Sequence, residues 1–321
     1  MNTRIEMQKF RWSSILSKEN QEEQKQDLRG PRNDKVWITP VFGQSVVNVS
    51  GEDAEAFLDA QLTIDIKNVK SKSLVPSGYC NPKGRLIATP HLMRGESSFN
   101  LLLPDDLVSE FISRISRFIL RSKVTLSENH ELATIGVIRN AGGEVETPES
   151  QESNIETLNV NSTQGLMLCP FESIEPFWAK ATTIYSSSSH EHWELEDIRN
   201  GIVNVGNAVK EQFLPQMINL DKRDGVSFTK GCYPGQEIVA RTKYLGSVKR
   251  RLCHFKSSKL INPGTPILNA GGSTCGTVCQ TASNFQQNDA FEGLAVIHVN
   301  NINNETLTTS DSIAINDVTF I

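Results

Sequence analysis

The sequence predicts an α+β fold that closes with an antiparallel β-domain. Two segments in the first half, 54–62 and 108–119, place apolar residues at helical spacing. From about residue 250 onward the pattern changes to short alternating runs, RRLCHF, GTVCQTA, GLAVIHV and SIAINDVTFI, separated by Gly, Pro and Asn turns. At 321 residues, with 38% hydrophobic and 21% charged, the chain is long enough for two or three domains around a sizeable core.

Taken in order, residues 1–35 are highly polar and read as a mobile lead or a loosely docked helix. VWITPVFGQSVVNVS, rich in Val and broken by Pro40 and Gly43, reads as extended segments. In SGEDAEAFLDAQL, Ser50 is the expected N-cap with Asp53 three residues on, and Ala54, Phe57, Leu58 and Leu62 form the buried stripe. NPKGR at 81–85 is a basic turn between strands. DDLVSEFISRISRFILRSK repeats the helical pattern, with Asp105 or Asp106 as cap and Val108, Phe111, Ile112, Ile115, Phe118 and Ile119 inward. Arg114, Arg117 and Arg121 then fall on a solvated face. Residues 141–165 are acidic and poor in large apolar side chains, as in a surface insertion. SSSS at 186–189 is a break, and HEHWELEDIRNG is a short helix that stops at Gly201.

Charge and composition narrow the function classes. Thirty-two Lys+Arg against thirty-seven Asp+Glu leave a net charge of -5, with no global attraction to nucleic acid or anionic membrane. The N-terminus lacks the apolar core of a signal peptide, and no stretch reaches the ~18 apolar residues of a membrane helix. A cytoplasmic protein is the expectation, with its six cysteines, 80, 169, 232, 253, 275 and 279, kept as thiols. Cys275 and Cys279 do not read as a zinc pair. Four residues along a strand put their sulfurs ~13 Å apart, so both are expected as inward-facing core residues. HExxH, P-loop, GxSxG and GxGxxG motifs are absent from the sequence.

The chemistry centres on GVSFTKGCYPGQEIVAR, residues 225–241. Cys232 follows Lys230 and Gly231 and precedes a Pro–Gly turn and a helix start. A nearby ammonium and a helix N-terminus favour the thiolate, the form that attacks or binds metal. A loop cysteine that merely packs is the competing reading. Trp193 reads either as packing or as an aromatic platform for a flat heterocycle. RTKYLGSVKRR, 241–251, gathers five cations around Tyr244, suited to an acidic ligand tail or to a phosphate.

The 225–241 stretch resembles the K-G-C-Y-x-G-Q-E signature of the YgfZ family, folate-binding proteins of iron–sulfur cluster maturation related to the glycine-cleavage T-protein. The similarity extends through FLPQMINLDKRD, EDIRNGI, RTKYLGSVKR, VSGEDAEAFLDAQLTIDI and the KGR of 83–85, over most of residues 44–256. It implies three domains after a 1–35 lead. These are a split T-protein-like folate-binding domain (36–65 and 192–246), a ferredoxin-like α+β domain (66–191, carrying the 141–165 insertion) and a C-terminal β-barrel (247–321).

The resemblance further implies Cys232 as the working thiol, with Lys230 beside it in the catalytic group. It implies a folate site involving Trp193, Gln44, Arg241, Tyr233, Gln236 and Glu237. Gln44 stands where the family has a second folate-facing tryptophan. Arg241 is equally placed for an i,i+4 pair with Glu237. The implied cofactor is tetrahydrofolate, with a transient iron–sulfur cluster at Cys232 also allowed and no resident metal. The implied partners are a folate derivative and iron–sulfur client or assembly proteins. Direct nucleic-acid contact and membrane association are not expected, and a monomer is. The T-protein carboxylate beside folate has no counterpart after Gly84, where RLIA follows, which disfavours aminomethyl transfer. Three classes stay open: an accessory factor acting through its thiol, a folate-dependent one-carbon transferase, and a folate-sensing module linked to tRNA modification.

Overall fold

The computed structural model describes residues 12–16, 33–71, 73–140, 155–284, 290–302 and 306–321. Most of the expected lead, and 141–154 of the expected insertion, lie outside them. Two five-stranded sheets, a hairpin, a closed barrel and five α-helices make up the described α+β fold.

Sheet one runs β10 (Glu156–Asn159), β11 (Gln164–Pro170), β9 (Leu132–Arg139), β1 (Asn33–Val41), β12 (Tyr185–Ser187). All its neighbours are antiparallel except β1 and β12, which pair in parallel. Sheet two runs β3 (Leu74–Pro76), β6 (His91–Arg94), β7 (Ser98–Pro104), β2 (Gln44–Ser50), β8 (Thr125–Asn129), antiparallel throughout. β4 (Tyr79–Cys80) and β5 (Leu86–Ala88) form the hairpin that carries the NPKGR turn. The strands β1 and β2, two residues apart in sequence, therefore belong to different sheets, and residues 66–191 contribute strands to both.

Alternation along the strands gives each sheet two apolar faces. Val47 and Val49 of β2 pack with helices α1 (Ala54–Gln61) and α2 (Val108–Ile115). Val46, just before them, faces the other way, where Leu74, Met93 and Leu102 of sheet two meet Val41, Ile138, Leu166 and Leu168 of sheet one around Trp193. On its far side sheet one is covered by α3 (Phe171–Ala181) and by the helical turn at 12–16, whose Trp12 is buried edge-on against Trp178, ring centroids 4.9 Å apart.

Helix α4 (His190–Arg199) ends before Gly201, at φ +65°, as the sequence predicts. α5 (Gln236–Tyr244) follows the signature loop. The six strands β13 (Arg250–Ser257), β16 (Phe291–His298), β15 (Thr274–Ser283), β14 (Pro266–Leu268), β17 (Leu307–Thr309) and β18 (Ala314–Phe320) close the barrel in that order.

Several local expectations are corrected. α1 is capped at Asp53, not Ser50, and its carboxylate accepts from Lys123 N at 2.7 Å rather than from its own first turn. α2 is capped at Leu107. The Asp105 carboxylate accepts from Ser45 Oγ at 2.5 Å, and Asp106 accepts from Asn207 N at 3.0 Å. Phe118 is 51% exposed because residues 116–118 tighten into a 3-10 turn, which rotates the stripe outward. Glu156–Asn159, within the expected insertion, is a strand. Cys275 and Cys279 are both buried, but only Cys275 faces the barrel interior. A β-bulge between Val278 and Gln280 accompanies the turning of Cys279 to the outer layer, against Ile198 and Leu195 of α4.

Candidate functional site

The signature loop is held from beneath. Lys230, its side chain 1% exposed, lies against the C-terminus of α1. Its ammonium donates to the carbonyls of Asp59, Leu62 (3.0 Å) and Ile64 (2.7 Å) and pairs with Asp59 Oδ1 at 3.1 Å. The first two are carbonyls of the last turn and C-cap of α1, which lack donors from within the helix. Burial pulls the Lys230 pKa down, and the Asp59 carboxylate opposes that shift. The ammonium expected to favour the thiolate is thus occupied by four oxygens, and it anchors the loop.

Tyr233 is buried, its ring 5.7 Å from the Lys230 ammonium, and its hydroxyl has no hydrogen-bond partner among the described residues. Gln236 closes the loop, donating from Nε2 to the carbonyls of Lys230 (3.4 Å) and Gly231 (3.3 Å). Gly235, at φ +79°, caps α5 in the left-handed conformation and touches the 81–85 turn. A Cβ there would meet Asn81 O at 2.5 Å and Gly84 Cα at 2.6 Å. With its neighbours turned inward or clamped, Cys232 is exposed as a free thiol. Glu237 and Arg241 are exposed on α5 and form no ion pair with each other, so the i,i+4 alternative is not adopted.

The second group of sequence-predicted residues meets elsewhere. On α4, Trp193 and Asp197 lie one turn apart and face the seam between the sheets. The Trp193 indole, 4% exposed, lies on Gly136 of β9, where a Cβ would overlap the ring. A cavity of about 10 Å³ remains beside it, lined by Gln44, His91, Leu102, Trp193, Asp197 and Asn204 among others. That is room for about one water.

Two buried polar atoms at this cavity, His91 Nε2 and Trp193 Nε1, have no partner among the described residues. Burial, reinforced by Arg223, pulls His91 down to about 3 and keeps it neutral. Burial pushes Asp197 up to about 7 although Gln164 Nε2 (2.8 Å) and Asn204 Nδ2 (3.0 Å) donate to its carboxylate. Arg223, itself largely desolvated, is the cation that both groups feel.

The structure therefore brings Gln44 and Trp193 together and gathers Cys232, Lys230, Tyr233, Gln236, Glu237 and Arg241 on the signature loop and α5. Sequence reasoning missed His91, Asp197, Asn204 and Arg223. Asp197 alone had a readable signal, its position four residues after Trp193 on one helix. Among the described residues, no group of three or more His, Cys, Asp or Glu is placed to hold a metal. No described helix is long and apolar enough to cross a membrane.

No family model matches the chain. The solved structure of the glycine cleavage system aminomethyltransferase T from Bartonella henselae superposes with a TM-score of 0.67 at 13% identity, over 88% of this chain and 85% of that one. The α+β fold with its C-terminal barrel is accordingly that of the aminomethyltransferase. An uncharacterized protein of Haemophilus influenzae is 32% identical over 213 residues, 66% of this chain and 70% of the relative. The tRNA-modifying protein YgfZ of Colwellia psychrerythraea is 30% identical over 217 residues, 64% and 67%. That of Edwardsiella ictaluri is 28% identical over 226 residues, 66% and 68%. With the signature loop, the aminomethyltransferase fold and this degree of identity over two thirds of a named relative, the chain belongs to the YgfZ family.

Proposed function

We propose that the chain is a folate-binding accessory factor for the assembly or repair of iron–sulfur proteins, acting in the cytoplasm through Cys232. The observation that carries the folate half is the cavity beside Trp193. His91 Nε2 and Trp193 Nε1 are buried there without partners among the described residues, and a buried polar group left unpaired costs about 1–3 kcal/mol. A pterin, flat and edged with donors and acceptors, answers both the indole face and these two atoms. The donor set fits tetrahydrofolate, and the room does not: at about 10 Å³ the cavity admits the ring only after its walls part. In this reading Trp193 stacks on the ring, with Gln44, His91 and Asp197 around its edge, and exposed Arg241 holds a carboxylate of the tail. Tetrahydrofolate would supply one-carbon chemistry in an aminomethyltransferase. Here Leu86–Ala88, the buried apolar strand after Gly84, offers no carboxylate for it, so binding rather than transfer is favoured.

The thiol half rests on the construction of the loop. A cysteine presented outward by three inward-facing or clamping neighbours suits a group that meets another macromolecule, and a transient cluster or sulfur intermediate is its cargo. The relatives' name, tRNA-modifying protein, gives the output: among the clients we place an iron–sulfur enzyme that modifies tRNA. Residues 36–65 with 192–246, 66–191 and 247–321 are the proposed domain division.

Two measurements test the reading. Calorimetric titration with tetrahydrofolate should show weaker binding for Trp193→Phe, which keeps an aromatic face but loses Nε1 and one of the two fused rings, and for Trp193→Ala a larger loss than for Gln44→Ala. Equal, negligible effects would put the ligand elsewhere. Complementation of a strain lacking the family protein, scored on iron–sulfur enzyme activity, should fail with Cys232→Ser while the variant folds normally. Full rescue by Cys232→Ser would overturn the thiol half and favour the folate-sensing module.

A further inference from the structure

Helix α4 separates two cavities. Trp193 and Asp197 face the one between the sheets; His192, Glu196 and Arg199, on another side of the helix, line one of about 220 Å³ whose opposite wall is Trp37, Ile138 and Arg139. A cavity of ~150 Å³ takes up benzene, so this one has room for a ring with one acid group.

Its charges are unevenly answered. Arg199 is satisfied within the protein, 2.9 Å from Glu292 and 3.4 Å from Glu196. His192 is held neutral by burial and by Arg199, its Nδ1 2.8 Å from Ser188 Oγ. Arg139 is different. Among the described residues it has no carboxylate partner. Among those residues its one side-chain hydrogen bond is long, 3.4 Å from Nη1 to Asn159 Oδ1, and its Nε is buried with no acceptor. A partly desolvated guanidinium that cannot lose its proton is stabilised by a matching anion, and its planar fork matches a carboxylate. Trp37 and Ile138 supply an apolar wall, and Glu196 at the Arg199 end excludes a second negative group.

We propose that this cavity is a second ligand site, distinct from the one at Trp193, for a small monocarboxylate with a flat apolar body. The carboxylate sits on Arg139, and the body lies against Trp37 and Ile138.

Benzoate is the probe, titrated calorimetrically and by saturation-transfer NMR into the full-length protein, with benzyl alcohol and inorganic phosphate as comparators. Benzoate should bind one per chain, at least tenfold tighter than either comparator, and should remain bound with saturating tetrahydrofolate. Arg139→Gln should weaken it at least tenfold. Arg139→Lys, which keeps the charge and the fold but not the fork, should fall between. Undiminished benzoate binding to Arg139→Gln overturns the assignment. So does phosphate binding better than benzoate, benzoate displacement by tetrahydrofolate, or an absence of benzoate binding to the wild type.

Discussion

Replacing Gly235 with alanine tests whether the signature loop is shaped by its contact with the 81–85 turn. The residue sits at φ +79°, ψ 4°, a conformation that costs an L-residue about 1–2 kcal/mol. The added Cβ would also lie 2.5 Å from Asn81 O and 2.6 Å from both Gly84 Cα and Gly84 N. All three are backbone atoms of a hairpin turn, so no flexible side chain can swing aside, and overpacking of this kind costs about 1–3 kcal/mol. The two effects together give a destabilisation of about 2–5 kcal/mol. Gly231→Ala is the control: nothing lies within 4 Å of its Cβ position, and its φ is not positive, so it should stay within about 0.5 kcal/mol of the wild type. Urea denaturation of the three proteins reads the difference. A Gly235→Ala protein less than about 1 kcal/mol below the wild type would mean that the turn and the loop are not packed as described.

Trp12→Ala should cost about 3–5 kcal/mol, as for other fully buried aromatics, because the ring is 1% exposed against Trp178; a urea midpoint equal to that of the wild type would show that the turn at 12–16 is not docked. Asp197 keeps its proton to about pH 7 in the folded chain against an ordinary 3.8. The stability it contributes is therefore complete below about pH 4 and is lost as pH rises toward 7. Asp197→Asn should gain on the wild type across that window in urea midpoints taken at pH 4, 5.5 and 7, and parallel curves would contradict the raised pKa.

What the sequence made legible was local. The stripe Ala54, Phe57, Leu58 follows from helical spacing alone and is buried as read. The turn between β4 and β5 needed only Asn, Pro and Gly between apolar runs, and the barrel strands only alternation. What failed depended on partners distant in sequence. Ser50 and Asp105 were sound capping candidates by composition, yet the cap position of α1 is Asp53, whose carboxylate is taken by Lys123 N, and Asp105 accepts from Ser45 Oγ in another element. No periodicity announces that β1 and β2 part to different sheets, since both are apolar on both faces. At the site, Trp193 was legible as an aromatic on a short helix. The atoms that give its cavity a polar edge come from β6 and from the segment after α4, and His91 in PHLM carries no mark that it will be buried without a partner.

The direction of Lys230 was the least legible feature and has the largest consequence. Its acceptors, the carbonyls of Asp59, Leu62 and Ile64, lie 171, 168 and 166 residues away. Through them the thiol loop is fastened to the end of α1, whose Phe57 and Leu58 pack on the Val47–Val49 face of sheet two. The opposite face of that sheet, through Val46, Met93 and Leu102, forms part of the apolar seam around Trp193. If the sheets part to admit a ring beside Trp193, sheet two carries α1 and the loop with it, which would link occupancy of the cavity to the position of Cys232. Lys230→Met keeps the length and the apolar stem but removes the charge and the donors. Hydrogen exchange should then show faster amides at 230–236, while 193–197, which do not touch the lysine, keep their wild-type rates. With tetrahydrofolate added, the wild type should change exchange at both 193–197 and 230–236, and Lys230→Met at 193–197 alone. A loop that still responds to tetrahydrofolate in Lys230→Met would refute the lysine as the link, and a wild-type loop that ignores tetrahydrofolate bound at Trp193 would refute the link itself.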